Sequence, residues 1–155
     1  MAIHFERRCW AQIDLDILRD NFALVRRAAG AARVMAVVKA NAYGHGDMMT
    51  ARTLDAAGAE EFAVACLAEA VRLRQAGITK PILVLGYTSP QDVASLVEHN
   101  LQQCVFSLEY ARRLSETLSA KQMELPVHFK VDTGMGRLGF CATAGFDNAV
   151  DELCE

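Results

Sequence analysis

Residues 39–46 read Lys-Ala-Asn-Ala-Tyr-Gly-His-Gly and place an amine, a phenol and an imidazole among small, turn-forming residues. Lys39 ends an apolar run, residues 34–38, whose β-branched bias suits a buried strand. A lysine at such a strand end sits between a dry core and a loop-lined pocket. Desolvation there disfavours the ammonium and favours the neutral amine, which can condense with a carbonyl. The plainer alternative is a lysine that snorkels from the strand end to water. The loop argues for the first reading. Gly44 and Gly46 allow backbone amides to approach an anion closely, and Tyr43 can donate its hydroxyl to the same anion. Asp47 then reads as the N-cap of a following helix. His45 reads as a structural hydrogen-bonding group within the turn rather than a catalytic one.

A second stretch rich in chemistry is residues 129–140, Phe-Lys-Val-Asp-Thr-Gly-Met-Gly-Arg-Leu-Gly-Phe. Lys130 lies inside an apolar strand, where a bare ammonium is costly. Arg137 follows that strand on a Gly-rich loop, placed to pair with an anionic oxygen; a surface arginine is the alternative. Asp132 is the simplest counter-ion for Lys130. Residues 134–139 also satisfy G-x-G-x-x-G, but that fingerprint belongs to a first βα turn, and here four βα units precede it.

The elements that must position these residues alternate. Strands are expected at 34–38, 61–65, 81–85, 103–106 and 126–132, with starts roughly 20 to 28 residues apart, which suits repeated βα units. Residues 9–13 read as an additional short strand. Asp14 or Asp16 caps a first helix with Leu18, Phe22 and Val25 as its apolar stripe. Gly58 and Gly77 follow helices as left-handed terminators. Ser89-Pro90 opens one helix, and Ser107 caps another that carries Leu108, Ala111, Leu114 and Leu118 on one face. Phe146, Val150 and Leu153 mark a fifth crossover helix. Leu85, ending the third strand, reads as core. Five such units with a lysine at the end of the first strand predict an α/β fold of the (β/α)8 TIM-barrel type, of which about five units are present. A doubly wound open sheet is the alternative.

Composition bounds the function classes. The 155 residues are 52% hydrophobic and 23% charged, with a net charge of -3. This describes a soluble globular protein without the basic balance that nucleic acid or an anionic membrane would attract. Residues 1–8 lack the apolar core of a signal peptide, so the cytoplasm is the expected compartment. The five cysteines form no Cys-x-x-Cys pair; Cys66 and Cys104 read as small buried hydrophobes. The four histidines share no metal-ligand spacing, and no metal is expected.

A lysine amine beside a phosphate-sized cradle is what pyridoxal 5'-phosphate requires. Residues 36–46, Ala-Val-Val-Lys-Ala-Asn-Ala-Tyr-Gly-His-Gly, resemble the cofactor-lysine motif of bacterial alanine racemases, and residues 129–140 resemble a second stretch of that family. The resemblance implies that Lys39 binds the cofactor and acts as base on the D face of alanine. It implies that Tyr43 bonds the phosphate, that Leu85 packs on the cofactor ring and that Arg137 meets the ring's phenolate oxygen and the substrate carboxylate. The lysine matching Lys130 is typically carbamylated in the family, giving an anion that orients the arginine. A homodimer is implied, with a tyrosine of the second subunit as the base on the L face. The resemblance covers essentially the whole chain but only the N-terminal part of the family's barrel. The last three barrel units and the C-terminal β domain are absent, so these 155 residues alone are expected to be inactive. They are also expected to need a complementary C-terminal fragment or self-association for stability. The function implied is racemisation of L- and D-alanine, feeding D-alanine to peptidoglycan. The alternatives are a serine or broad-specificity racemase, or a non-catalytic pyridoxal-phosphate-binding module.

Overall fold

The computed structural model describes residues 9–141 and Asp151. Residues 1–8, the cysteine at 154 and the expected helix at Phe146, Val150 and Leu153 lie outside the described residues.

Helix α1 (Leu15–Ala29) opens on Asp14, whose carboxylate accepts the backbone N–H groups of Asp16 and Ile17, satisfying two donors that have no intrahelical partner. Then come β1 (Met35–Val37), the short segment α2 (Lys39–Tyr43), α3 (Asp47–Ala56), β2 (Glu61–Val64) and α4 (Leu67–Gln75). The second half runs β3 (Ile82–Val84), a 3-10 turn at Pro90–Asp92, α5 (Val93–Glu98), β4 (Gln102–Val105), α6 (Leu108–Lys121) and β5 (Val127–Phe129). Two-residue strands β6 (Val131–Asp132) and β7 (Phe140–Cys141) close the described chain.

The five long strands form one parallel sheet in the order β1-β2-β3-β4-β5. A doubly wound sheet reverses its strand order at a switch point, whereas this order never reverses, so the sheet is a barrel segment. Side chains alternate across it. Ala36, Val38, Phe62, Val64, Ile82 and Val84 form the main core with the helices. The opposite face buries Ala63, Leu83 and Cys104 together with Met35 and Leu85. The helix ends are set by local chemistry. Gly58 and Gly77 take positive φ after α3 and α4, and the next residues, Ala59 and Ile78, donate back to Leu54 and Leu73 carbonyls. Ser107 Oγ accepts from Tyr110 N at 3.2 Å and starts α6.

Several expectations are corrected. Residues 9–13 form no strand. The stripe of α1 passes from Leu18 and Phe22 toward Arg26 and Ala29, so Val25 is 56% exposed. Cys66 is exposed because β2 has already ended and Cys66 stands at the N-cap of α4; Cys104 alone of the pair is buried. The expected strand at 126–132 is broken at Lys130, because Val131 and Asp132 leave β4 and pair with Phe140 and Cys141. Among the described residues no helix is long and apolar enough to cross a membrane.

Candidate active site

Parallel strands deliver their C-terminal ends to one rim, and the site residues foreseen from sequence lie along it. Lys39 sits two residues beyond β1, Leu85 one beyond β3 and Lys130 one beyond β5; Arg137 lies in the loop between β6 and β7.

Lys39 is half-buried, and its Nζ lies 5.9 Å from the centroid of the Tyr43 ring, just inside the range of a cation–π contact. The intervening backbone is unusual. Ala40, Asn41, Ala42 and Tyr43 all take left-handed φ values between 51° and 56°. For L-residues other than glycine this costs roughly 1–2 kcal/mol each, with asparagine the most tolerant. Such a run persists only where the surroundings over-determine it. Here they do. Ala42 N donates to Val38 O, and Gly46 N to Asn41 O. Asn41 Oδ1 accepts from Asp47 N at 3.0 Å, and His45 Nδ1 pairs with Ala42 O at 2.8 Å. Ala42 is buried in the main core and pins the turn to it.

This bonding corrects two expectations. The N-cap of α3 is Gly46, not Asp47, and the Asp47 carboxylate instead pairs with Arg72 at 2.6 Å. The amides of Gly44, His45, Gly46 and Asp47 donate within the turn, so they offer no backbone cradle to an anion. Tyr43 is 62% exposed, and its hydroxyl makes no hydrogen bond among the described residues.

At the other end of the sheet, Lys130 Nζ donates to Leu85 O at 2.8 Å, bridging the ends of β5 and β3 across β4. Cys104 lies beneath. Burial pushes its thiol above the ordinary range, and the positive charge of Lys130 pulls the other way. Asp132 is not the counter-ion of Lys130. Its Oδ1 accepts from Gly134 N at 2.9 Å and Gly136 N at 3.1 Å, and its Oδ2 from Arg137 N at 3.2 Å. Those amides, Gly134 first, hold the carboxyl below the usual carboxylate range. Asp132 therefore shapes the loop that carries Arg137. The Arg137 guanidinium itself is exposed and makes no hydrogen bond or ion pair among the described residues. Lys130 and Arg137 thus stand on either side of β6 along the chain, each with its own backbone anchor.

Sequence reasoning missed Glu69. Its Oε2 accepts from Ala65 N at 2.7 Å and its Oε1 from Ala40 N at 2.8 Å, directly after Lys39. The signal available was a glutamate at the third position of a helix, the place from which a carboxylate reaches back to its own N-terminus.

A family profile described as "Alanine racemase, N-terminal domain" matches residues 13–155. The alanine racemase of Clostridium perfringens is 45% identical over 148 residues, which cover 96% of this chain and 38% of that protein. The solved structure of alanine racemase from Bacillus anthracis with bound L-Ala-P matches at TM-score 0.84 and 34% identity, covering 97% of this chain and 39% of that one. A histidine racemase from Leuconostoc mesenteroides matches at TM-score 0.81 and 33% identity, covering 89% of this chain and 37% of that one. The chain therefore spans little more than a third of the length of these relatives.

Proposed function

Because this chain belongs to the alanine racemase N-terminal domain family, we propose that the complete protein is a pyridoxal 5'-phosphate-dependent alanine racemase. It interconverts L- and D-alanine and supplies D-alanine for peptidoglycan. Residues 1–155 are the N-terminal part of its barrel domain; further barrel units, a C-terminal β domain and a second subunit complete the site. Within the five-strand sheet, β1 and β5 are the edge strands, which the remaining barrel strands would pair. A cytoplasmic location goes with this reading.

The observation that carries it is the placement of Lys39: a half-buried amine just beyond β1, on a left-handed turn that sets Tyr43 against it. The donor set suits the cofactor. Lys39 offers a primary amine to an aldehyde, Tyr43 a hydroxyl to phosphate oxygens, Leu85 an aliphatic surface to a ring and Arg137 a guanidinium to a phenolate or carboxylate. When bound, the cofactor spreads the charge of a Cα carbanion into its ring. Lys39 would hold the cofactor, and its Nζ would carry a proton to or from the D face of the substrate. Lys130 has no carboxylate partner among the described residues, which suits carbamylation to an anion that orients Arg137.

The test uses the complete protein with pyridoxal phosphate. Borohydride reduction and peptide mapping should place a pyridoxyl group on Lys39, and added L-alanine should yield D-alanine. Label on another lysine, or visible absorbance that survives Lys39→Ala, sinks the assignment. A second reading concerns the substrate alone. The likeness to a histidine racemase supports a racemase that acts on several amino acids, and parallel assays with alanine, serine and histidine separate the two.

A further inference from the structure

Helix α4 touches the Lys39 segment at both of its ends. Near its start, Glu69 accepts the N–H of Ala40 at 2.8 Å, a residue 29 positions away in sequence. One turn later, Arg72 donates to Asp47 Oδ2 from Nη2 at 2.6 Å and from Nε at 3.3 Å. The segment between these two anchors is the strained left-handed run. Glu69 also ties the start of α4 back to the end of β2 through Ala65 N, and that contact needs only one carboxylate oxygen. The N-cap residue, Cys66, makes no side-chain cap of its own. The second oxygen is given to the backbone immediately after Lys39.

We infer that Glu69 is a positioning residue. Its carboxylate bridges the end of β2 to the Ala40 amide, and so fixes the direction in which the left-handed turn presents the Lys39 amine to a carbonyl ligand. The inference rests on the proposed role of Lys39 and adds to it the group that aims it. Two acceptor oxygens are required at once, one per amide. Glutamine supplies one acceptor and one donor, so it retains one of the two bonds and sets an N–H against the other amide. Alanine retains neither. Without the clamp the turn can relax toward ordinary right-handed geometry, which swings the Cα of Lys39 and its side chain. A displacement of about 1 Å at a reacting group costs on the order of a hundredfold in rate.

The complete protein is compared as wild type, Glu69→Gln and Glu69→Ala by three measurements. These are amide hydrogen exchange at Ala40 and Ala65 without cofactor, the rate at which pyridoxal phosphate becomes reducible onto Lys39, and the melting temperature. In Glu69→Ala, exchange at both amides should rise at least tenfold and the capture rate at Lys39 should fall roughly ten- to a hundredfold. Glu69→Gln should lie between, with one of the two amides still protected and a melting temperature close to wild type. The inference is overturned if Lys39 captures at the wild-type rate in Glu69→Ala, or if Ala40 exchange is unchanged there. It is also overturned if capture in both variants merely tracks a common fall in melting temperature with no rescue by glutamine. A Glu69→Ala chain that does not fold leaves Glu69→Gln to decide: it must slow capture while its melting temperature holds, and wild-type capture there refutes the inference. Wild-type protein that never labels Lys39 overturns the proposed function and this inference together. Labelled wild type with unaffected variants overturns only the role of Glu69.

Discussion

Gly139→Ala and Gly134→Ala should damage the Arg137 loop by different amounts, and the difference can be worked out beforehand. Both glycines hold φ values that side-chain-bearing residues rarely adopt, +134° at Gly139 and +124° at Gly134. Forcing alanine there costs roughly 1–3 kcal/mol at either site. The surroundings differ. A Cβ at Gly134 meets nothing within 4 Å, whereas one at Gly139 would stand 2.7 Å from Asp132 N, 2.9 Å from Lys130 O and 3.0 Å from Val131 C. These neighbours are backbone atoms that cannot rotate away, so an overpacking cost of about 1–3 kcal/mol is added at Gly139 alone. That clash falls where Phe140 N donates to Lys130 O and β6 pairs with β7. The loop must therefore peel from Lys130 and take the Asp132 carboxylate off the amides of Gly134, Gly136 and Arg137. Native-state amide exchange in the complete protein reads this directly, with the Phe140 and Arg137 amides as reporters. Gly139→Ala should lower their opening free energy by about 1–3 kcal/mol more than Gly134→Ala. Equal effects at the two positions, or protection of Phe140 preserved in Gly139→Ala, would refute the reasoning from close approach.

Two further outcomes are expected. Replacing Arg137 with Leu in the complete protein should raise the barrier of racemisation by roughly 2–4 kcal/mol, the scale for deleting a charged donor in an active site; unchanged turnover and cofactor affinity would remove Arg137 from the site. Tyr110 is buried with its hydroxyl on Thr88 O at 2.9 Å, and burial pushes its pKa up to about 12. Because the folded value exceeds the unfolded one of about 10, its contribution is complete below pH 10 and is lost as pH rises toward 12. The stability advantage of wild type over Tyr110→Phe should then shrink by on the order of 2 kcal/mol across that window in denaturant titrations; a constant advantage contradicts the assignment.

The legible parts of this fold were those written locally. Asp14, Ser107, Gly58 and Gly77 punctuate helices through bonds that reach no further than a few residues, and each does so in the structure. Strands β1 to β3 were legible because a buried parallel strand calls for an apolar run, whereas β4 opens on Gln102 and Gln103 and all three residues of β5 are exposed. What could not be read depends on partners distant in sequence. Nothing in Ala40-Asn41-Ala42-Tyr43 announces a left-handed run, since alanine favours right-handed helix and the conformation is imposed by Glu69, Asp47 and the core beneath Ala42. The break of β5 at Lys130 was hidden for the same reason: Val131 continues an apolar run, yet its partner is Phe140. The amides of residues 44–47 looked available to an anion because glycine suggests access, but access is no use once each N–H has an internal acceptor.

The carboxylates near the rim share one pattern. Glu69 accepts from Ala40 and Ala65, and Asp132 from Gly134, Gly136 and Arg137, all through backbone N–H groups. Asp47 is consumed by Arg72 on the far side of the turn. Each anion therefore shapes backbone or pairs away from the rim, and none meets Lys39, Lys130 or the Arg137 guanidinium among the described residues. Three cationic side chains are thus brought to one rim of a parallel sheet without intramolecular neutralisation. In a fold seeking only stability, pairing those carboxylates with those cations would be the easier arrangement, since an uncompensated charge near a core is costly. Leaving them unpaired is sensible when an anionic ligand supplies the missing charge. Under the proposed function Arg137 would take that anion as a phenolate or carboxylate, while Lys39 would be spent on an aldehyde and Lys130 on a carbamate, and Glu69 and Asp132 hold the backbone beside Lys39 and Arg137.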